Sequence, residues 1–249
     1  MSLSKNQLKL ITSLQQKKYR VKHNLFIVEG IKVVNEFLNS NIELFKLFCT
    51  DKTVFKNVEN CIEISENELK KISNLKSPNK VLAIFKIPKI PSFKQTGLII
   101  TLDDVNDPGN LGAIIRLCDW FGVAQLVCSK NTVDCFNSKV VQATMGSLVR
   151  VSIIYADLEQ YLKEISLPKY ATVMDGNFIY KQKLSQNAVV IMGNEANGIS
   201  ENILKLVTNK IAIPRFGKLQ QTESLNVATA TAIVLNEFKR SSYTNYHSK

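Results

Sequence analysis

The strongest constraint on the fold is a regular alternation of apolar and helical segments between residues 97 and 240. Short apolar runs of strand length alternate there with segments whose apolar residues recur at helical spacing. Buried strands that alternate with helices are typical of a parallel sheet with helices on both faces. Strands are predicted at 97–105, 124–129, 150–156, 170–176, 188–194 and 209–214, and helices at 110–121, 137–147, 157–165, 199–207 and 225–240. In such α/β sheets, functional residues lie in the loops beyond the carboxyl ends of the strands.

A smaller α/β unit precedes this sheet. The spacing of apolar residues predicts helices at 4–20, 31–40 and 66–74 and strands at 24–30, 43–50 and 80–87. The segment 88–97 contains two prolines, a glycine and polar residues, which is typical of an interdomain linker. We therefore predict two domains, residues 1–92 and residues 93–249.

Positive charge is concentrated in the first part of the chain. Residues 1–96 hold 17 Lys and Arg against 8 Asp and Glu, which is +9 of the total of +11. Such an excess favours an anionic partner such as nucleic acid, although a lysine-rich solvated surface is the alternative. The densest cluster predicts the RNA-binding residues, with Tyr19 and His23 interleaved as stacking groups. These predicted residues are Lys17, Lys18, Arg20 and Lys22.

Several classes of protein are disfavoured by what the sequence lacks. Five cysteines without a C-x-x-C pair favour reduced thiols over a disulfide framework or a zinc site. Two histidines argue against a Ser-His-Asp hydrolase and a His-rich metal centre, so no metal is expected. Neither a dinucleotide fingerprint nor a P-loop occurs. No signal-peptide core or membrane-spanning run is present, so we expect a cytoplasmic protein without membrane contact.

Three loops that follow predicted strands contain candidate functional residues, and the first two of them follow the strands at 97–105 and 188–194. Asn110 opens a helix after Pro-Gly, and Arg116 stands in that otherwise apolar helix. An N-cap or turn role for Asn110 and a snorkelling side chain for Arg116 are the structural alternatives. In the second loop, Gly193 and Gly198 allow close approach of a ligand, and Glu195 supplies a carboxylate. An ordinary strand–turn–helix connection is the alternative there.

The third loop joins the last predicted strand to the final helix. The strand ends at Ile213-Pro214, and Ser224-Leu225-Asn226 opens a helix whose first turns are rich in small residues. Small side chains allow another backbone to pack closely. The structural alternative for Ser224 is an N-cap.

In this order and spacing, the three loops resemble the SpoU-type (TrmH-like) RNA 2′-O-methyltransferases of the SPOUT superfamily. The likeness covers about residues 97–240. It rests on Asn110 and Arg116, on Gly193-Asn194-Glu195, and on Ile213-Pro214 with Ser224-Leu225-Asn226. Residues 17–38 are similar to the substrate-binding domain of that family. The loop 215–223 departs from the pattern because it is a few residues longer than is common.

The resemblance implies a parallel sheet with a C-terminal trefoil knot, which is a rare exception in chain topology. It also implies a homodimer that transfers a methyl group from S-adenosylmethionine to a ribose 2′-hydroxyl of rRNA or tRNA. The implied cofactor-binding residues are Gly193, Gly198, Ile213 and Leu225. The implied catalytic residues are Arg116, Asn110, Glu195, Ser224 and Asn226.

Among these, Arg116 corresponds to an arginine that is often regarded as a general base. Because a guanidinium resists neutralisation, we favour a different role. In this interpretation Arg116 grips the adjacent phosphate and stabilises the developing alkoxide, while Glu195 holds Arg116 in place. Asn110, Ser224 and Asn226 then orient the hydroxyl and the loops.

Two other functions fit the same resemblance. One is an RNA-binding protein of this fold without turnover, against which the retained Arg116, Glu195 and Asn226 argue. The other is a SPOUT enzyme that methylates a base nitrogen, and the Ser-Leu-Asn sequence at 224–226 favours ribose over a base.

Overall fold

The computed structural model describes residues 3–219 and 224–244. The chain forms two compact units, one comprising Met1–Lys89 and Asp134–Val149 and the other Ile90–Val133 and Arg150–Lys249. The predicted domain limits, 1–92 and 93–249, stay a prediction. Within the described ranges, no helix is long and apolar enough to cross a bilayer.

The helices and strands follow one another closely along the chain. In chain order they are α1 (Lys5–Ser13), α2 (Lys17–His23), β1 (Leu25–Glu29), α3 (Ile31–Leu38), β2 (Leu44–Cys49), β3 (Cys61–Glu63), α4 (Glu66–Ile72), β4 (Val81–Lys86), β5 (Leu98–Leu102), α5 (Pro108–Trp120), β6 (Gln125–Ser129), α6 (Ser138–Ala143), β7 (Ile153–Ala156), α7 (Leu158–Glu164), β8 (Lys169–Phe178), β9 (Ala188–Met192), α8 (Glu201–Leu204), β10 (Asn209–Ala212) and α9 (Val227–Thr244). A short 3₁₀ helix, Lys52–Phe55, lies between β2 and β3.

The first unit is built on a four-stranded mixed sheet in the order β1-β4-β2-β3. Both β1 and β2 run antiparallel to β4, whereas β3 runs parallel to β2. Strand β3 was not expected from the sequence, because three residues are too few to show an alternating pattern. Helix α6 also packs against β1, so a segment remote in sequence completes this unit.

The predicted helix over 4–20 is two helices in the structure. A capping box formed by Ser4 and Gln7 begins α1, which ends at Ser13. The carbonyls of Leu14 and Gln15 lie beyond its end and accept hydrogen bonds from Nη1 of Arg20 in α2, at 2.9 and 2.8 Å. The arginine therefore satisfies backbone groups that the break between the helices would otherwise leave unpaired.

The assignment of Arg20 to RNA binding is corrected by this geometry. Arg20 is only 2% exposed, and its Nε and Nη2 both donate to Oδ2 of Asp134, at 2.9 and 2.6 Å. All of these bonds lie inside the first unit. The guanidinium is thus committed to the protein interior and is not available to a phosphate. The sequence pattern missed this because a buried arginine and a surface arginine look alike within a basic helix.

A second buried charged group in the first unit is Glu29, at the end of β1. Its carboxylate is 5% exposed and accepts hydrogen bonds from the Ser73 hydroxyl and from the Asn74 amide, the latter at 2.9 Å. Burial raises the pKa of Glu29 above its ordinary value, although both hydrogen bonds oppose that shift. The carboxylate fastens the end of α4 to the edge of the sheet.

The second unit confirms the predicted parallel sheet. Six strands lie in the order β10-β8-β9-β5-β6-β7, and every neighbouring pair is parallel. Helices α7 and α8 pack on one face through a cluster of buried apolar residues that includes Leu158, Leu162 and Ile203. Helices α5 and α9 pack against each other. The carboxyl ends of β5 and β9, which are direct neighbours, place their two loops side by side.

The pairing of β8 with β10 contains a large irregularity. Lys210 pairs with Ala171, but the next residue, Ile211, pairs with Asn177. Residues 172–176 therefore leave the ladder. A Cβ on Gly176 would lie 2.6 Å from the backbone of Ile211, so this close approach requires a glycine. The displaced residues form one wall of the cleft described below.

Candidate functional site

The first loop of the site connects β5 to α5. Asp107 is the N-cap of α5, and its carboxylate accepts a hydrogen bond from the Asn110 backbone amide at 2.8 Å. The capping role that was the alternative for Asn110 therefore belongs to Asp107. As a result, the side chain of Asn110 is free to bond outside its own helix.

The side chain of Asn110 joins all three loops. Its Nδ2 donates to Oε1 of Glu195 at 2.6 Å, and its Oδ1 accepts from Nδ2 of Asn226 at 2.8 Å. These partners are 85 and 116 residues away along the chain. We call the three residues Asn110, Glu195 and Asn226 the amide junction. The junction brings together three of the five predicted catalytic residues.

Asn226 also determines where the last helix begins. Its Oδ1 accepts hydrogen bonds from the backbone amides of Ala228 and Thr229, at 3.0 and 3.2 Å. These bonds satisfy free donors at the start of α9, as an N-cap does. The cap expected as the alternative for Ser224 is therefore Asn226, and Ser224 lies exposed two residues earlier.

The loop after β9 is tied to the loop after β5 by Asn194, a residue that was not among the predicted site residues. Its Nδ2 donates to the carbonyl of Asp104 at 2.7 Å, and its Oδ1 accepts from the amides of Ala196 and Asn197. A second tie runs from the Ser200 amide to Oδ2 of Asp103, at 2.8 Å. The pair of loops is thus held in one arrangement beneath the amide junction.

Local backbone contacts explain why two positions of this loop, 193 and 198, are glycine. A Cβ on Gly193 would lie 2.3 Å from the carbonyl carbon of Gly198, and the backbones of Asn194 and Gly198 exchange two hydrogen bonds of 2.9 Å. Gly198 has a φ of +68°, a conformation that favours glycine. The protein's own backbone therefore packs against Gly193 where a Cβ would lie, and the binding of a cofactor by Gly193 stays a prediction.

Arg116 lies exposed on α5, six residues beyond Asn110, or about 9 Å further along the helix axis. Within the described part of the chain it makes no hydrogen bond or ion pair. The predicted contact with Glu195 is absent, because the Glu195 carboxylate bonds to Asn110 instead. The guanidinium is thus available to an external anion.

An open cleft of about 940 Å³ lies beside the start of α9. Two predicted cofactor residues, Ile213 and Leu225, line it, as does Ser224, whereas Gly193 and Gly198 are not among its lining residues. Another part of the lining was not predicted from the sequence and is formed by Thr172, Val173, Met174, Arg215, Phe216, Gly217, Lys218 and Leu219. The Asp-Gly pair at 175–176, at the end of a predicted strand, was the available signal. Residues 220–223 of the long loop 215–223 lie outside the described residues.

The predicted RNA-binding lysines lie in the first unit. Lys17, Lys18 and Lys22 are all exposed. The ammonium of Lys18 stands 4.8 Å from the centre of the Tyr19 ring, and the rings of Tyr19 and His23 are stacked with centres 6.4 Å apart. This short helix therefore presents positive charge together with two aromatic rings.

The parallel sheet and the amide junction define a class of protein. Residues 97–236 match the model of the SpoU rRNA Methylase family, and residues 5–83 match the MRM3-like substrate binding domain. The chain belongs to the SpoU rRNA Methylase family. The resemblance that the three loops carry is thereby confirmed.

Individual relatives are similar to this chain over 62% to 89% of its length. It is 30% identical over 230 residues to the 23S rRNA (guanosine(2553)-2′-O)-methyltransferase RlmP of Bacillus subtilis, a match that covers 89% of this chain and 91% of that protein. A tRNA (guanosine(18)-2′-O)-methyltransferase of Thermus thermophilus is 32% identical over 159 residues, covering 62% and 80%.

Two solved structures are similar to this chain over nearly its whole length. A TrmH-family protein from Porphyromonas gingivalis is 35% identical with a TM-score of 0.86, over 96% of this chain and 99% of that one. An AdoMet-bound rRNA methyltransferase from Sinorhizobium meliloti is 28% identical with a TM-score of 0.85, over 97% and 98%.

Proposed function

We propose that this protein transfers a methyl group from S-adenosylmethionine to a ribose 2′-hydroxyl of a structured rRNA or tRNA. The observation that carries the proposal is the amide junction, where one side chain, Asn110, bonds to residues of both other loops. The junction continues directly into the cleft, because Ser224 and Leu225 line the cleft and Asn226 belongs to the junction. Family membership and the named activities of the relatives agree with this reaction.

The cleft fits S-adenosylmethionine in size and chemistry. Its volume of about 940 Å³ lies within the range of small-molecule sites, which are mostly apolar with a few placed polar groups. Val173, Met174, Ile213 and Leu225 supply apolar surface, and the Ser224 hydroxyl supplies a polar group. When bound, the cofactor supplies an electrophilic sulfonium methyl group. Gly193 and Gly198 support this site through the shape of their loop.

Arg116 is the group that we assign to the RNA. Its exposed guanidinium has no protein partner among the described residues, and a planar fork suits a phosphate. Positive charge beside the reacting hydroxyl stabilises the oxyanion that develops as the proton leaves. Asn110, Glu195, Ser224 and Asn226 orient that hydroxyl and fix the loops. Glu195 acts through Asn110 in this arrangement.

We assign RNA affinity chiefly to the first unit and to Lys17, Lys18 and Lys22. Residues 1–92 are the proposed RNA-binding domain and residues 93–249 the proposed methyltransferase domain. The match of residues 5–83 to a substrate-binding domain supports this division. The charge of +9 over residues 1–96 supports it as well.

We further propose a cytoplasmic homodimer whose C-terminal segment forms a trefoil knot. Support for the knot comes from membership of the SpoU rRNA Methylase family, for which the resemblance implies a knotted C-terminal segment. Support for the dimer comes from Trp120, which is 86% exposed at the end of α5. Sedimentation at micromolar concentration should give twice the chain mass of 28.0 kDa. A monomer would contradict the dimer.

Methyl transfer to RNA from cells lacking the gene is the decisive test of activity. Purified protein and isotopically labelled cofactor should introduce a 2′-O-methyl nucleoside, identified after complete digestion of the RNA. Arg116→Ala should lose the activity, whereas the control Lys163→Ala should keep it, since Lys163 is a surface residue paired with Glu159 on α7. A methylated base would identify a base-modifying enzyme. Binding of RNA with no methyl transfer would contradict the proposed reaction.

A further inference from the structure

Two cysteines of the first unit form a close thiol pair. The Sγ atoms of Cys49, the last residue of β2, and Cys61, the first residue of β3, are 3.2 Å apart. The two strands are neighbours in the sheet; Cys49 lies opposite Glu63 and Cys61 opposite Leu47, so the two thiols meet diagonally, across an offset of two residues. A disulfide requires a sulfur separation of about 2.05 Å, which is a further approach of little more than 1 Å. We call Cys49 and Cys61 the thiol pair.

The two sulfurs differ in their access to solvent. Cys49 is 0% exposed, whereas Cys61 is partly exposed and lines an open cleft of about 320 Å³ with Lys52, Thr53 and Lys56. A small oxidant in that cleft therefore meets Cys61 first. Burial, together with the neighbouring thiol, raises the pKa of Cys49 to about 12. Cys49 is therefore a buried, neutral thiol.

The other three cysteines differ from Cys61 because they are all buried. Cys118, Cys128 and Cys135 are at most 2% exposed, and none of the five cysteines forms a disulfide. Burial raises the pKa of the Cys118 thiol as well. Reactivity at cysteine follows thiolate character and access, so only the thiol pair combines an accessible sulfur with a partner at contact distance.

We propose that the thiol pair is a site of reversible oxidation by peroxides. The Cys61 thiolate sulfur attacks one peroxide oxygen and breaks the O–O bond, giving a sulfenic acid and, after protonation, water. The Cys49 sulfur then attacks the Cys61 sulfur and expels hydroxide, which leaves as water with the proton of the Cys49 thiol. In total, two thiols and one hydrogen peroxide give one disulfide and two water molecules. A small-molecule dithiol reverses the bond by exchange.

The bond would close a short loop in the proposed RNA-binding unit. Residues 50–60 lie between the two sulfurs and include the 3₁₀ helix Lys52–Phe55. The same residues form much of the wall of a second cleft of about 760 Å³, which Thr53 and Asn60 line. Crosslinking reduces the freedom of such a loop chiefly in the unfolded chain. Oxidation should therefore stabilise the first unit against unfolding.

A thiol count on the full-length protein tests the proposal. The reduced chain has five thiols that are alkylated in denaturant, and one equivalent of hydrogen peroxide should lower this number to three. Digestion with trypsin without reductant should yield peptides 47–52 and 57–70 as one crosslinked species, which dithiothreitol separates. Five remaining thiols, a crosslink involving any other cysteine, or a disulfide between two chains would overturn it.

Two variants test the separate roles of the sulfurs. Cys61→Ser should keep all four of its thiols under the same peroxide treatment. Its far-UV circular dichroism should match that of the reduced wild type, which serves as the control for an intact fold. Cys49→Ser should accumulate a sulfenic acid at residue 61, trapped by a dione reagent. Loss of thiols from Cys61→Ser, or trapping of the sulfenic acid at another cysteine, would overturn the assignment.

Discussion

Replacing Arg20 by methionine tests the assignment of this residue to the interior of the first unit. The change removes a side chain that donates to Asp134 and to two backbone carbonyls. Breaking a buried ion pair by removing one partner costs about 3–5 kcal/mol. Asp134 keeps the hydrogen bond from the Phe136 amide, and its side chain is 14% exposed. We therefore expect about 3 kcal/mol, at the lower end of that range.

Native-state hydrogen exchange is the suitable assay, because it reports on each unit separately. A loss of about 3 kcal/mol corresponds to roughly 100-fold faster exchange of the most protected amides in β1 and α6. The control is Lys18→Met, an exposed neighbour in the same helix, which should change stability by less than about 0.5 kcal/mol. Lys18→Met should instead flatten the salt dependence of RNA affinity. Equal exchange rates in the two variants would refute the structural role of Arg20.

Four further predictions concern other parts of the molecule. Arg116→Ala should lower the rate of methyl transfer by about two to four powers of ten with little change in cofactor affinity, and Arg116→Lys should recover little of it; normal turnover would contradict this. Asn226→Asp keeps the helix cap but loses the donor to Asn110, so methyl transfer should fall about tenfold while thermal unfolding of α9 is unchanged. Gly193→Ala should destabilise the second unit by about 1–3 kcal/mol in urea unfolding, because its Cβ meets backbone at 2.3 Å; wild-type stability would disprove the clash. The folded-state pKa of Glu29 is raised, so the contribution of this residue to stability is greatest below its ordinary pKa of 4.5 and declines as the pH rises through the folded-state pKa. The Glu29→Gln variant should therefore gain stability relative to the wild type as the pH rises. A difference in unfolding free energy that stays constant with pH would contradict this.

The sequence predicts the second unit well because its signals are local. Each strand of the parallel sheet is a short apolar run, and each helix shows its own period, so order and type follow without knowledge of contacts. Two details of the first unit leave no such local signal. Strand β3 is too short to show a pattern, and the break before α2 is stabilised by bonds from Arg20, whose burial depends on Asp134 in another part of the chain.

In the candidate site, too, the residues could be predicted from local sequence signals, whereas their contacts could not. Asn110, Glu195 and Asn226 are recognisable because their loops follow predicted strands, and the structure places them in contact. Their individual bonds could not be predicted, because Asn110 bonds across 85 and 116 residues. The wall at 172–174 results from a shift in strand pairing, which leaves no periodic trace in the sequence.

The amide junction also sets when the protein can become active during its synthesis. Asn226 follows Asn110 by 116 residues, so the ribosome must release that whole intervening segment before Asn110 can meet its second partner. Contacts of such long sequence separation form late, because the intervening chain must be ordered first. A nascent chain that has completed only the first unit therefore has its lysines in place but no assembled junction. With the roles proposed for the lysines and the junction, RNA binding would mature before methyl transfer, and a chain terminated early would bind RNA without modifying it.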